Sequence, residues 1–121
     1  MTFFMSLAAL ALMLAPASAL AGDAAKGKEI YTINCLSCHG ETGKGDGPVG
    51  SVLPTPPRDF SMGEFKLDAD GDGKTGTDAD LKAVITKGAS AFGGDMMMAP
   101  WASLSEEDVD NVIAYIHTLK K

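Results

Sequence analysis

The clearest pattern lies at the end of the chain. Val109, Val112, Ile113, Ile116 and Leu119 recur three and four residues apart and form one apolar stripe. They predict a helix that starts at Ser105. Ser105-Glu106-Glu107-Asp108 supplies an N-cap hydroxyl with acids in the first turn, and Lys120 and Lys121 stand at the other end, where cations suit the helix dipole. A second helix is predicted from Asp80 to Lys87, with Gly88 as its C-cap. A third spans Asp23 to Cys35, where Gly27 and Tyr31 are four apart and share a face. A glycine inside a helix costs about 1 kcal/mol against alanine, so Gly27 implies a close packing contact. The connections read as loop. Residues 40–50 hold five glycines and Pro48, residues 54–57 read Pro-Thr-Pro-Pro, and no alternation is long enough for a strand. The fold class is all-α.

Residues 1–21 differ from the rest. They are apolar and uncharged, broken by Pro16, and end in Ala17-Ser18-Ala19 and Ala19-Leu20-Ala21, both suited to signal-peptide cleavage. The expectation is a signal peptide over 1–21, cut after Ala21, and one domain over 22–121. The alternative is an uncleaved anchor, since roughly 20 apolar residues can cross a bilayer. On either reading the domain is exported, to the periplasm or an equivalent compartment. It meets a membrane only if the segment stays attached.

All 16 acids and 10 bases follow residue 22, so the domain carries the whole net charge of −6. A nucleic-acid binder needs a basic face, which this composition does not offer. A domain this small buries roughly 60–70% of its unfolded surface and gains from an apolar cofactor to pack around.

Cys35-Leu36-Ser37-Cys38-His39 is a C-x-x-C-H motif, the signal for covalent haem attachment. Two thiols three positions apart reach the two vinyl groups on one haem edge, and the next imidazole supplies an axial nitrogen. The competing reading is a C-x-x-C disulfide or redox pair. Zinc is poorly served, because His117 is the one further strong ligand and structural zinc takes four. A second axial ligand has to come from elsewhere. A thioether raises the potential of a haem iron, and Met96, Met97 and Met98 stand together before Pro100 and Trp101. Their bland alternative is gap filling in the core.

In this order the pieces resemble the class I cytochrome c family across residues 23–121. They are a first helix with Gly27 and Tyr31, CLSCHG, GETGKGDGP, a short helix ending at Gly88, MAPW and LSEEDVDNVIAYI. The resemblance implies three main helices and loops wrapped around one covalent haem c. It implies thioethers at Cys35 and Cys38, His39 as proximal ligand and Met98 as distal ligand. The family more often has proline directly after this Met, and here Ala99 intervenes, so Met96 and Met97 stay open. The resemblance further implies that the Pro48 carbonyl accepts the ring N–H of His39, and that Gly27 and Tyr31 cross Tyr115.

Arg58, the sole arginine, is a candidate partner for a haem propionate, against an exposed place in a Pro-rich loop. Trp101 is a candidate propionate donor or a cover for the haem edge. His117 is expected to be a satisfied surface histidine. Asp68-Ala69-Asp70-Gly71-Asp72-Gly73 matches the first half of a calcium loop, with Asp68, Asp70 and Asp72 as candidate ligands. Position twelve of that loop is Ala79, however, and the alternative is an acidic turn that caps the next helix.

The expected function is electron transfer with His/Met ligation rather than enzyme catalysis, because two protein ligands leave no open coordination position. Partners would be redox proteins with a basic docking face. The alternatives are a haem enzyme or gas sensor for peroxide or nitric oxide, with a labile sixth ligand, and a haem-free thiol oxidoreductase.

Overall fold

The computed structural model describes residues 22–121. The signal-peptide expectation falls on residues outside that range. Among the described residues there are four α-helices and no strand: α1 (Ala24–Asn34), α2 (Leu36–His39), α3 (Asp78–Lys87) and α4 (Glu106–Thr118). Single 3-10 turns sit at Gly50–Val52, Phe60–Met62 and Ala89–Phe92. The all-α expectation is therefore met. No helix among the described residues is long and apolar enough to cross a membrane.

Asp23 caps α1 by accepting from the N–H groups of Ala25 and Lys26. Only Gly27 and Tyr31 of α1 are buried, and both face α4. A Cβ at Gly27 would collide with the Asn111 carbonyl, so the two helices meet backbone to backbone there. The Tyr31 ring meets Tyr115 edge-on at 5.1 Å, as the family resemblance implied. The Tyr31 hydroxyl donates to the Gly40 carbonyl at 2.6 Å, which fastens this crossing to the end of α2. The Asp23 N–H donates to Asn111 Oδ1 at 2.8 Å and closes the other end.

On α4 the predicted stripe is the core. Val109, Val112, Ile113 and Ile116 are buried, each contributing about 1.5–3 kcal/mol relative to exposure. Ser105 caps the helix by accepting from the Asp108 N–H at 3.1 Å. Asp78 of α3 lies beside His117, and Lys82 beside Glu106 and Asp110, so α3 and α4 run in opposite directions.

Helix α3 starts two residues earlier than the pattern predicts. Thr77 is its cap: Thr77 Oγ1 accepts from the Asp80 N–H, and Asp80 accepts in return from the Thr77 N–H at 3.0 Å. Asp80 belongs to the first turn rather than to the boundary. Gly88 ends the helix as expected.

Candidate haem site

The chain leaves α1 at Asn34 and re-enters a helix at Leu36, so the C-x-x-C-H segment forms one short turn. The N–H groups of Cys38 and His39 both donate to the Cys35 carbonyl, at 3.2 and 2.9 Å. This brings Cys35, Cys38 and His39 to one wall of a cleft of about 670 Å³. Cofactor sites fall at about 300–1,000 Å³. The two cysteines are free thiols. Burial, with Cys38 close by, pushes the Cys35 thiol up to about 11. A redox-active C-x-x-C needs the opposite shift, toward thiolate, so the environment speaks against the thiol oxidoreductase.

Burial holds the His39 imidazole below its ordinary pKa, against an opposing contact with the Arg58 carbonyl. A metal ligand must be neutral, so this shift serves ligation. Its Nδ1 lies 3.4 Å from the Arg58 carbonyl oxygen. A carbonyl can only accept, so this contact favours the tautomer with the proton on Nδ1, which leaves the Nε2 lone pair for a metal. Pro48 was expected to offer this acceptor. It is instead exposed and lies outside the cleft lining, and Arg58 takes the position. The reason is packing: the turn holding Pro48 lies over Ser37 and Cys38, with the Val49 N–H donating to the Ser37 carbonyl at 2.8 Å. The later segment around Arg58 is the one that reaches the imidazole.

Met98 also lines the cleft, partly buried against the core. Met97 also lines the cleft but is 55% exposed, and Met96 is 79% exposed and does not line it. The Met loop is tied to the end of α3. The Ala89 N–H donates to the Met98 carbonyl at 3.1 Å, and the Trp101 N–H to the Ile85 carbonyl at 2.8 Å. Trp101 lines the cleft as well. Arg58 reaches the rim, where its Nε donates to the Glu64 carbonyl at 2.7 Å.

Sequence reasoning missed the apolar floor. Leu81, Val84 and Ile85 of α3 line the cleft with Phe60, Phe65 and Ile116. The spacing of Leu81, Val84 and Ile85 carried a helical-face signal that could have found them. Phe60, which opens a single 3-10 turn, and Phe65, in irregular chain, carried none. Asp80 also borders the cleft and is 1% exposed.

The acidic turn is explained by hydrogen bonding. Oxygens of Asp68, Asp70, Asp72 and Asp80 lie within 4.8 Å of one another. Asp68 accepts from the N–H groups of Gly71, Asp72 and Gly73, and Asp80 from those of Ala69 and Thr77. The structure thus adds Asp80 to the three predicted carboxylates, and these bonds close the turn without a cation. His117 is outside the cleft lining and pairs with Asp78 at 2.7 Å, a satisfied surface histidine.

An imidazole and a thioether are axial donors for a haem iron, two thiols three positions apart suit its vinyl groups, and all four side chains line this one cleft. The helices and this cleft together define an all-α protein with a cofactor-sized cleft beside its C-x-x-C-H turn. The family model described as Cytochrome c matches residues 24–120, and the chain belongs to that family. It is 40% identical over 105 residues to cytochrome c-554(547) of Halothiobacillus neapolitanus, with 83% of this chain and 100% of that protein covered. Cytochrome c6 of Rippkaea orientalis is 34% identical, with 88% and 78% covered. The cbb3-type cytochrome c oxidase subunit FixP of Azorhizobium caulinodans is 34% identical over 79% of this chain and 27% of its own length. Among solved structures, a chain of the Kuenenia stuttgartiensis reducing HAO-like protein complex superposes with a TM-score of 0.66 at 32% identity, covering 78% of this chain and 41% of that one. Family membership makes haem-based electron transfer the function of this chain.

Proposed function

We propose that the protein is an exported single-electron carrier and not an enzyme. Its haem c is held by thioethers to Cys35 and Cys38, with His39 Nε2 and Met98 Sδ as axial ligands. The observation that carries this reading is the cleft itself, whose lining brings both cysteines and His39 together with Met98 from a distant loop. When bound, the haem supplies one-electron cycling between ferrous and ferric iron. The chain does the rest. The Arg58 carbonyl faces His39 Nδ1, the floor of Leu81, Val84, Ile85 and Phe60 keeps water out, and Trp101 and Arg58, which also line the cleft, would offer donors to the propionate carboxylates.

Net charge of −6 favours redox partners that present basic groups. One relative is named as a subunit of a cbb3-type oxidase, which supports a place beside other redox proteins. We assign residues 1–21 to export, with cleavage after Ala21. The test is a double substitution, Cys35→Ser with Cys38→Ser. Haem staining on a denaturing gel should disappear, since only thioether-bound haem survives denaturation. Stain that persists would overturn the assignment.

A further inference from the structure

His39 is held from two directions by one short segment. Arg58 offers its carbonyl to Nδ1 at 3.4 Å. Two residues on, the Phe60 ring stacks on the imidazole with centroids 4.4 Å apart and planes 17° from parallel. Phe60 is well fixed. It is 8% exposed, and its N–H donates to the Gly43 carbonyl at 2.6 Å. Asp59 caps its turn by accepting from the Ser61 N–H at 2.8 Å, and Phe65 packs on the ring at 5.9 Å. The 3.4 Å contact to Arg58 is long for a hydrogen bond and cannot alone set the imidazole plane. The stacked ring can, because tilting the imidazole would drive it into Phe60.

We infer that Phe60 is the positioning residue for His39, and that its ring face lowers the reduction potential of the haem. The inference rests on His39 being the proximal ligand. The face of a phenyl ring is negative and attracts positive charge. An imidazole bound to ferric iron gives up more electron density than one bound to ferrous iron, so it is the more positive. The Phe60 face therefore favours the ferric state.

The experiment compares holoproteins with Phe, Leu, Tyr and pentafluorophenylalanine at position 60. It reads the reduction potential and the spread of the paramagnetically shifted haem methyl resonances. Phe60→Leu should raise the potential and change the spread, and Phe60→Tyr should keep both near wild type. Pentafluorophenylalanine keeps the shape and reverses the sign of the face, so it should keep the spread and raise the potential. That variant decides the electrostatic claim even if Phe60→Leu fails to fold. Equal potentials with Phe and its fluorinated analogue would overturn the electrostatic role, and an unchanged spread in Phe60→Leu the positioning role. A wild-type spectrum without shifted ring protons from His39 would instead overturn the ligand assignment on which the inference rests.

Discussion

On the wall that carries Cys35, Cys38 and His39, backbone packs on backbone. The N–H groups of Gly47, Val49 and Gly45 donate to the carbonyls of Cys38, Ser37 and His39, at 3.2, 2.8 and 2.8 Å. A Cβ on Gly50 would run into the Cys38 carbonyl. Around Met98, a loop leans on α3 through one backbone hydrogen bond, from Trp101 to Ile85, and on the 3-10 turn after it through another, from Ala89 to Met98. The rest of that loop holds itself. The Met97 N–H donates to Asp95 Oδ1 at 2.8 Å and the Met98 N–H to the Asp95 carbonyl at 3.2 Å, while Met96 lies in solvent and Met97 is about half exposed at the cleft. Segments with few buried contacts open at a small fraction of the global unfolding free energy. The two segments therefore differ in firmness, and the one that carries Met98 should open first.

The firm wall breaks hardest. Gly50→Ala forces a methyl against the Cys38 carbonyl, which side-chain rotation cannot relieve. Overpacking of this kind costs about 1–3 kcal/mol, or more where backbone must move. The expected result is a sharp drop in the yield of haem-stained folded protein. A normal yield and melting temperature would show that the Pro48 turn can shift and that this wall is no firmer than the segment that carries Met98.

Met98→Ala comes next. It should abolish the sulfur-to-ferric-iron charge-transfer band, lower the reduction potential and admit cyanide or carbon monoxide. Truncating a buried Met costs about 2–5 kcal/mol, and Met98, only partly buried, should fall at the low end. Met96→Ala and Met97→Ala should keep the band. Loss of the band with Met97→Ala alone would move the ligand by one residue, since both side chains line the cleft.

A smaller effect concerns Asp80, which ties the acidic turn to α3 beneath the cleft. Burial opposes its charge, yet the N–H groups of Thr77, Ala69 and Asp70 hold its carboxyl below the ordinary carboxylate range. The unfolded chain takes up this proton at about pH 3.9, before the native chain does. The stability Asp80 supplies is thus full above that pH and lost as pH falls through the native value. Asp80→Asn should lower the melting temperature at neutral pH and flatten its decline on the acid side. Parallel curves for the two proteins would remove Asp80 from the acid response. Asp59 and Glu106, also held below their ordinary values, remain in both proteins and cancel in the comparison.

The smallest effect is on partner encounter. The Debye length falls from about 10 Å at 0.1 M salt to about 3 Å at 1 M. Electron transfer with a basic partner should slow across that range, as measured by stopped flow. A flat rate would exclude steering by the −6 charge and leave docking to contact surfaces alone.

Contiguous features were legible from residue order. The C-x-x-C-H turn, the Ser105 cap, the stripe from Val109 to Ile116 and the end of α3 at Gly88 all depend on contacts within a turn or two. Gly27 and Tyr31 were legible as a shared face, and the family resemblance supplied their partner, Tyr115. Thr77 was missed although its capping box is local, because Asp80 looked like the helix start itself.

Other features had no local signature. The acceptor for His39 is a main-chain carbonyl, which every residue has, so nothing in the order of residues distinguished Arg58 from Pro48. Phe60 opens a single 3-10 turn with no periodic pattern around it, and its place over His39 depends on how residues 40–60 fold back across α2. Three consecutive methionines are chemically identical in the sequence. Only the path of the loop against α3 sends Met98 toward the core and leaves Met96 in water. Residue type and spacing determine which atoms can react and which helices can form. Long-range packing decides which of several equivalent atoms arrives at the cleft, because that choice depends on the positions of segments far apart in the chain.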